Sequence, residues 1–203
     1  SISAEEVKHD RTKKIIKYKN AWLKIFDKPI LYFPKFFHPD PTVKRQSGFL
    51  IPTFAGSKSL GQSISIPYFN AISENKDLTF SPRVFFDGTT IIQNEYRQVN
   101  KNSNHINDFS LAKIESATKS HFFSNTIMNL ESNFFENADI ELNFEQTSND
   151  TYLKNHNITS SINNSSSLLN SFLDFSASKE DLSIETRFEV YEDLTKDKSD
   201  RYQ

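Results

Sequence analysis

PILYFPKFFHPDPTVKRQSGFLIPTFAGSKSLGQSISIP, residues 29–67, is the stretch on which the reading of this chain turns. It holds six of the seven prolines, all but Pro82. Proline has no backbone donor and a fixed φ, which confines it to strand ends, edges and bulges. Here prolines punctuate short apolar runs that otherwise read as β. The stretch is therefore expected to join two sheets while leaving some strand edges poorly zipped.

Upstream, residues 1–10 and 13–26 read as strands separated by a charged turn at Asp10–Lys13. Ala21, Leu23 and Ile25 point one way, and Trp22, Lys24 and Phe26 the other. Asp27-Lys28-Pro29 predicts a turn, with Ile30–Phe33 as a short return strand. β-branched and aromatic residues at period two argue against helix. Pro34–Gln46, with three prolines and the basic pair Lys44-Arg45, predicts irregular chain between two units.

Downstream the texture becomes repeated strand and turn. Gly48–Phe54 leads through a Gly/Ser loop to Gln62–Ala71, and Ser73–Lys76 turns the chain into Asp77–Phe86. There Leu78, Phe80, Pro82, Val84 and Phe86 share one face, and Asp77, Thr79, Ser81 and Arg83 the other. Asp87-Gly88 is a hairpin signal. The same alternation recurs in Ala138–Glu145 and Leu182–Tyr191, and more weakly in Phe109–Glu115, Phe122–Leu130 and Leu168–Ala177. Thr147–Ser167 is an Asn/Ser-rich loop with a short structured piece at Thr151–Leu153. About eight antiparallel strands follow from Gly48 onward, each near the length that crosses a bilayer as a tilted strand.

Lys and Arg (24) nearly balance Asp and Glu (26), which argues against nucleic acid as a partner. A hydrophobic fraction of 36% with 19 Phe is low in aliphatics and high in aromatics, and mean hydropathy is −0.59. Strands that alternate strictly between lipid and water have this composition; a soluble β-sandwich remains open from pattern alone. Cysteine is absent from the chain, so it offers no disulfide or thiol nucleophile. No run approaches the roughly 18 apolar residues of a membrane helix, although a β-barrel strand needs only about 9–11 alternating ones. The start at Ser1 and the polar run before Gln203 read as a segment of a longer protein.

Candidate chemistry is sparse. His38 and Asp40 in HPDP read as a proline turn more than as metal ligands. Asp139, Glu141 and Glu145 line one strand face, as a solvated face does more often than a glycosidase pair. There is no G-x-S-x-G, and four glycines supply no phosphate-cradling loop. The expectation is a protein without enzymatic activity, metal or cofactor.

Residues Pro29, Tyr32, Pro34 and Phe36, then Ser47-Gly48-Phe49-Leu50 with Pro52, Pro67-Tyr68, and Asp77, Thr79, Pro82 and Arg83 occur in an order that resembles the LptD family. These are the lipopolysaccharide-assembly, or organic-solvent-tolerance, proteins of Gram-negative outer membranes. The match is dense over roughly residues 20–95, and SNDTYL (148–153) looks like a further family segment. The chain departs from the pattern at Lys35, where an aromatic is frequent, and at Asn70, where Trp is common. It also lacks the family's disulfide cysteines.

The resemblance implies an all-β fold: the end of a periplasmic β-jellyroll (residues 1–34), a junction (35–46), and the first antiparallel strands of a large outer-membrane β-barrel (47–203). Lipopolysaccharide would pass through the jellyroll and leave by a lateral gate into the outer leaflet. The implied partners are the plug lipoprotein LptE and the periplasmic bridge jellyroll protein LptA. Under it, Gly48, Phe49, Pro52 and Pro67 belong to the gate, and Pro34, Pro39, Pro41, Lys44 and Arg45 to the junction. Leu23, Ile25, Leu31 and Phe33 are the residues expected to face the acyl chains in the lipid conduit. Rival readings are a passive porin-like barrel closed by this segment alone and a soluble β-sandwich binding module.

Overall fold

The computed structural model describes residues 2–12, 14–25, 27–41, 45–57, 61–114 and 117–203. Two antiparallel sheets account for nearly all of them. The first has three strands in chain order, β1 (Ile2–Asp10), β2 (Ile15–Ile25) and β3 (Lys28–Pro39). Cross-strand aromatic pairs support it. Trp22 lies opposite Tyr32 with ring centroids 4.9 Å apart, and Tyr18 opposite Phe36 at 5.8 Å. Asp27, in the left-handed region at φ 62°, turns β2 into β3.

The return strand is longer than the short run Ile30–Phe33, and it passes through Pro34 to Pro39. The ladder steps over the proline: pairs form at Lys19↔Lys35 and Ala21↔Phe33, with none between Asn20 and Pro34. Asn20 adopts φ 51° and uses its side chain instead, donating to Glu5 and accepting from the Tyr32 hydroxyl at 2.7 Å. The missing amide of Pro34 thus falls where the central strand makes no demand for it. Asp40 closes the sheet, its amide donating to the Lys14 carbonyl at 2.9 Å and its carboxylate pairing with His9.

The second sheet is an up-and-down meander. Its elements are β4 (Gly48–Phe49), β5 (Thr53–Ser57), β6 (Gly61–Ser65), β7 (Tyr68–Ser73), β8 (Lys76–Phe85), β9 (Thr90–Val99), β10 (Ser103–Ile114), β11 (Ala117–Asn129), β12 (Asn137–Thr147), β13 (Leu168–Lys179) and β14 (Leu182–Asp193). Of these eleven, β4 and β5 continue one strand line and β6 and β7 another, leaving nine lines. From β8 onward each strand has 10–13 residues. The sheet is open, with β14 at one end of the strand order and β4–β5 at the other. Gly88 makes the β8–β9 turn, where φ 92° suits only a residue without a Cβ.

The facing of this sheet is inverted relative to a soluble sandwich. In β12 Leu142 and Phe144 are 48% and 42% exposed, whereas Asn143 and Glu145 between them are 6% and 7% exposed. Likewise Asp108 and Ser110 of β10 and His121 of β11 are buried, while Leu111 and Phe122 stand out in the open. The faces expected for β8 hold, and those of β9 now resolve. Gln93 reaches Asp108, and Arg97 reaches Asp77, across the polar face.

The segment 148–167 folds onto that polar face. Its one short helix, α1 (Tyr152–Asn155), sinks Tyr152 and Leu153 onto Phe85, Ile91, Ala112 and Phe123. Around this apolar plug the polar bonds are specific. The Tyr152 hydroxyl and Ser110 Oγ are 2.6 Å apart, Arg83 donates to the His156 carbonyl at 3.0 Å, and Gln93 donates to the Thr159 carbonyl at 2.9 Å. Arg201 ties the segment to β14, meeting Asp150 at 2.8 Å and Glu192 at 3.1 Å. That guanidinium's hydrogen bond holds the Asp150 carboxyl below the usual carboxylate range. Leu153→Ala should cost this packing about 2–4 kcal/mol. Amide exchange in residues 152–159 should then accelerate, with protection in β9–β12 unchanged.

Candidate functional site

The hairpin from Gly48 to Ser73 carries the site. Near one end Gly48 pairs with Phe69 and Phe49 with Tyr68, and the Leu50 amide donates to the Pro67 carbonyl at 2.8 Å. Pairing resumes at Thr53↔Ser65 in a register displaced by one residue. Ile51 and Pro52 together therefore stand against Ile66 alone, which is a β-bulge. Pro52 and Pro67 thus lie in the gaps between strand pieces, not within continuous strands as the sequence suggested. Neither has an amide hydrogen with which to hold the ladder together.

The neighbouring strand repeats the feature. β8 pairs with β6 at Ser65↔Arg83 and with β7 at Tyr68↔Phe80 in one register, leaving Ile66 and Pro67 unpaired against Pro82 and Ser81. On its other side β8 pairs without a break, Pro82 included, against Ile92 of β9. Three prolines on three adjacent strand lines therefore remove donors at one level. Pro82 lies outside the stretch 29–67, and only the pairing register shows that it belongs to the same gap.

An apolar cavity of about 400 Å³ opens beside this gap and is shared by both sheets. Leu23, Phe33 and Phe36 reach it from the first sheet, and Phe49, Ile51 and Pro52 from the second. Of the residues expected to line a conduit, Leu23 and Phe33 border this cavity. Leu31 pairs with Leu23 but does not line the cavity, and the Ile25 side chain lies outside the described residues. Phe36 escaped the sequence reading because it stands in the proline-rich run taken for irregular chain. Gly48 is buried, and Ser47 beside it accepts the Ala71 amide at 2.9 Å.

The junction is anchored through Arg45. Its guanidinium pairs with the buried Asp77 and donates to the Glu74 carbonyl at 2.5 Å. Arg97 binds the other Asp77 oxygen at 2.9 Å. One carboxylate thereby fastens the chain leaving the first sheet to β8 and β9. Among the other junction residues, Pro34 and Pro39 lie in β3, Pro41 follows in a turn, and Lys44 is outside the described residues.

A second polar cluster sits under α1. Ser110 Oγ is 2.7 Å from His121 Nδ1, and His121 Nε2 is 3.3 Å from Asp108. The order of groups resembles a hydrolase triad, but all three are buried and the serine is occupied by Tyr152. A substrate carbonyl has no approach to Ser110, and the cluster serves to seat the 148–167 segment. Asp139, Glu141 and Glu145, weighed as the source of a carboxylate pair, are likewise engaged, Asp139 by Asn129 at 3.0 Å, Glu141 by Asn125 at 2.8 Å and Glu145 by the Asn170 amide at 3.0 Å. Among the described residues no group of three or more His, Asp or Glu is placed to hold a metal ion.

Apolar side chains outward, polar ones inward, and strands of 10–13 residues define the class of membrane-spanning β-sheets. Comparison with known proteins narrows this. No family model matches the chain. It is similar to LPS-assembly protein LptD of Idiomarina loihiensis, 32% identical over 96 residues, which is 47% of this chain and 12% of that protein. The LptD of Shewanella denitrificans is 40% identical over 81 residues, 40% of this chain and 10% of the relative. That of Pseudomonas savastanoi pv. phaseolicola is 36% identical over 84 residues, 41% and 9% respectively. The likeness to LptD read from the proline motifs thus extends over about half of the chain, which spans about a tenth of the relatives' length.

Asp77→Ala would leave Arg45 and Arg97 without their shared partner; both guanidiniums are part-exposed, so the cost is about 1.5–3 kcal/mol, that of hydrogen bonds to a charged group. Spin labels at positions 19 and 101 should show a broadened distance distribution in that variant. An unchanged distribution would mean that other contacts hold the junction.

Proposed function

We propose that this chain is the part of an outer-membrane lipopolysaccharide-assembly protein where the lipid leaves a periplasmic jellyroll and enters the membrane. β1–β3 are the end of the jellyroll, residues 40–46 the junction, and the strands from Gly48 onward the start of the barrel. The observation that carries the reading is the apolar cavity shared by both sheets beside the proline-interrupted hairpin. The cavity lining is apolar apart from Lys35, which suits acyl chains. The names of the relatives support the assignment to lipopolysaccharide assembly. The work is transport, with no bond made or broken by the chain.

In this reading the β4–β5 line is one lip of a lateral gate. Opening an intact ladder costs every hydrogen bond along it, whereas here Pro52 and Pro67 have already removed donors. Pro82 softens the next line in the same place. The bulge at Ile51-Pro52 also turns the strand edge toward the cavity. The N-terminal sheet lies in the periplasm, with LptA as the donor bridge and LptE as the plug partner. A porin-like barrel closed by this segment is less well supported, because β14 and β4–β5 lie at opposite ends of the strand order.

Two experiments on the full-length protein test this. Photo-crosslinking residues at Leu23 and Phe33 should capture lipopolysaccharide in cells, and the same residue at Trp22 should not. Capture from Trp22 alone would reverse the assigned facing, and capture from none of the three would remove the conduit. Pro52→Val with Pro67→Val should slow surface delivery about fivefold per donor that regains a partner, each worth about 1 kcal/mol. Unchanged delivery would separate the prolines from gating and leave them a purely structural bulge.

A further inference from the structure

The first sheet carries a second groove that the acyl path does not explain. It encloses about 370 Å³ and shares Lys35, Phe36 and Phe37 with the apolar cavity. Its remaining wall is Glu6, Lys8, Lys17, Tyr18 and Lys19, four lysines against one carboxylate when Lys35 is counted. In the ladder Lys8 stands opposite Lys17, and Lys19 opposite Lys35. Two cross-strand pairs of like charge thus lie side by side, about 7 Å apart along β2 at the rise of an extended chain.

Like charges directly opposite one another weaken a sheet. The carboxylates present relieve this only in part. Lys17 meets Asp10 at 3.2 Å, and Lys19 meets Glu6, which stands opposite it on β1, at 3.9 Å; solvent reaches both pairs, and such pairs contribute little. Lys8 and Lys35 have no carboxylate partner among the described residues. Lysines commonly protect sheet edges from pairing with another chain. That role does not account for Lys17 and Lys19, which sit on the central strand.

From this juxtaposition we infer that the groove binds the phosphorylated head of the lipid whose acyl chains occupy the neighbouring cavity. A phosphoryl group carries up to two negative charges and three acceptor oxygens, and an ammonium meets it as a compact point charge with three donors. An anion seated between the lysine pairs turns two repulsions into attractions. The shared wall at Lys35–Phe37 then puts charge and apolar volume at the spacing of one amphiphile. The inference rests on the lipopolysaccharide reading above and assigns Lys8 and Lys35 as the positioning cations.

The test uses the purified full-length protein with a photo-crosslinking residue at Phe37. It is offered lipopolysaccharide, enzymatically dephosphorylated lipopolysaccharide, or phosphatidylglycerol vesicles. Lys8→Gln with Lys35→Gln should reduce capture of the phosphorylated form about tenfold, as loss of charge-assisted contacts does, and Lys8→Arg with Lys35→Arg should retain it. Dephosphorylated lipid should be captured equally weakly by all three proteins. Equal capture of both lipopolysaccharide forms, indifference to the Gln changes, or equal capture of phosphatidylglycerol overturns the inference. A crosslinker at Phe33 separates the two levels of failure. Capture there without phosphate dependence at Phe37 removes only the headgroup groove, and capture at neither position removes the transport reading with it.

Discussion

A proline has no amide hydrogen to give, and amide hydrogen bonds, running across the strands, are what join each strand of a sheet to its neighbour. Pro52, Pro67 and Pro82 withdraw donors from three adjacent lines at a single level. The chain answers with a bulge on the first line, a two-residue gap on the second and uninterrupted pairing on the far side of the third. From β8 to β12 and from β13 to β14 the ladders run without a register shift. Between β12 and β13 backbone pairing ends at Asn143↔Phe172, and side chains take over: the Glu145 amide donates to Ser171 Oγ and the Asn170 amide to the Glu145 carboxylate.

The surroundings of that edge are largely apolar. The bulge faces a cavity whose other wall comes from the first sheet, and Asp77 ties the chain between the sheets to β8 and β9 through Arg45 and Arg97. On the polar face of the large sheet the segment 148–167 packs through α1 and is held by bonds to Ser110, Arg83 and Gln93, while His156 Nε2 is buried without a hydrogen-bond partner among the described residues. The polar face is thus covered in part by protein, whereas the opposite face exposes apolar side chains. These are complementary demands on one sheet, and strict alternation along each strand meets both.

Much of this was legible in the residues. Alternation with charges confined to one face identified the strands, because side chains of an extended chain project to opposite sides at period two. The order of unusual prolines pointed to the LptD likeness that the relatives then bore out. Less legible was β3. Proline-rich sequence reads as irregular, and only the unpaired position at Asn20 let the strand run through Pro34 and bring Phe36 to the cavity. The place of Pro82 was hidden for a related reason, since a strand's neighbours and register are not written in its own residues.

By itself the sequence determined that the chain is all-β, which faces of the regular strands are apolar, and where donors are missing. Those are local properties, set by side-chain type and by the backbone chemistry of proline. The tertiary structure alone decided that three missing donors coincide, that two sheets share one cavity, and that four lysines gather in opposed pairs beside it. Each depends on pairing between residues distant along the chain, and a register shift of one residue at Ile51-Pro52 suffices to change which side chains meet.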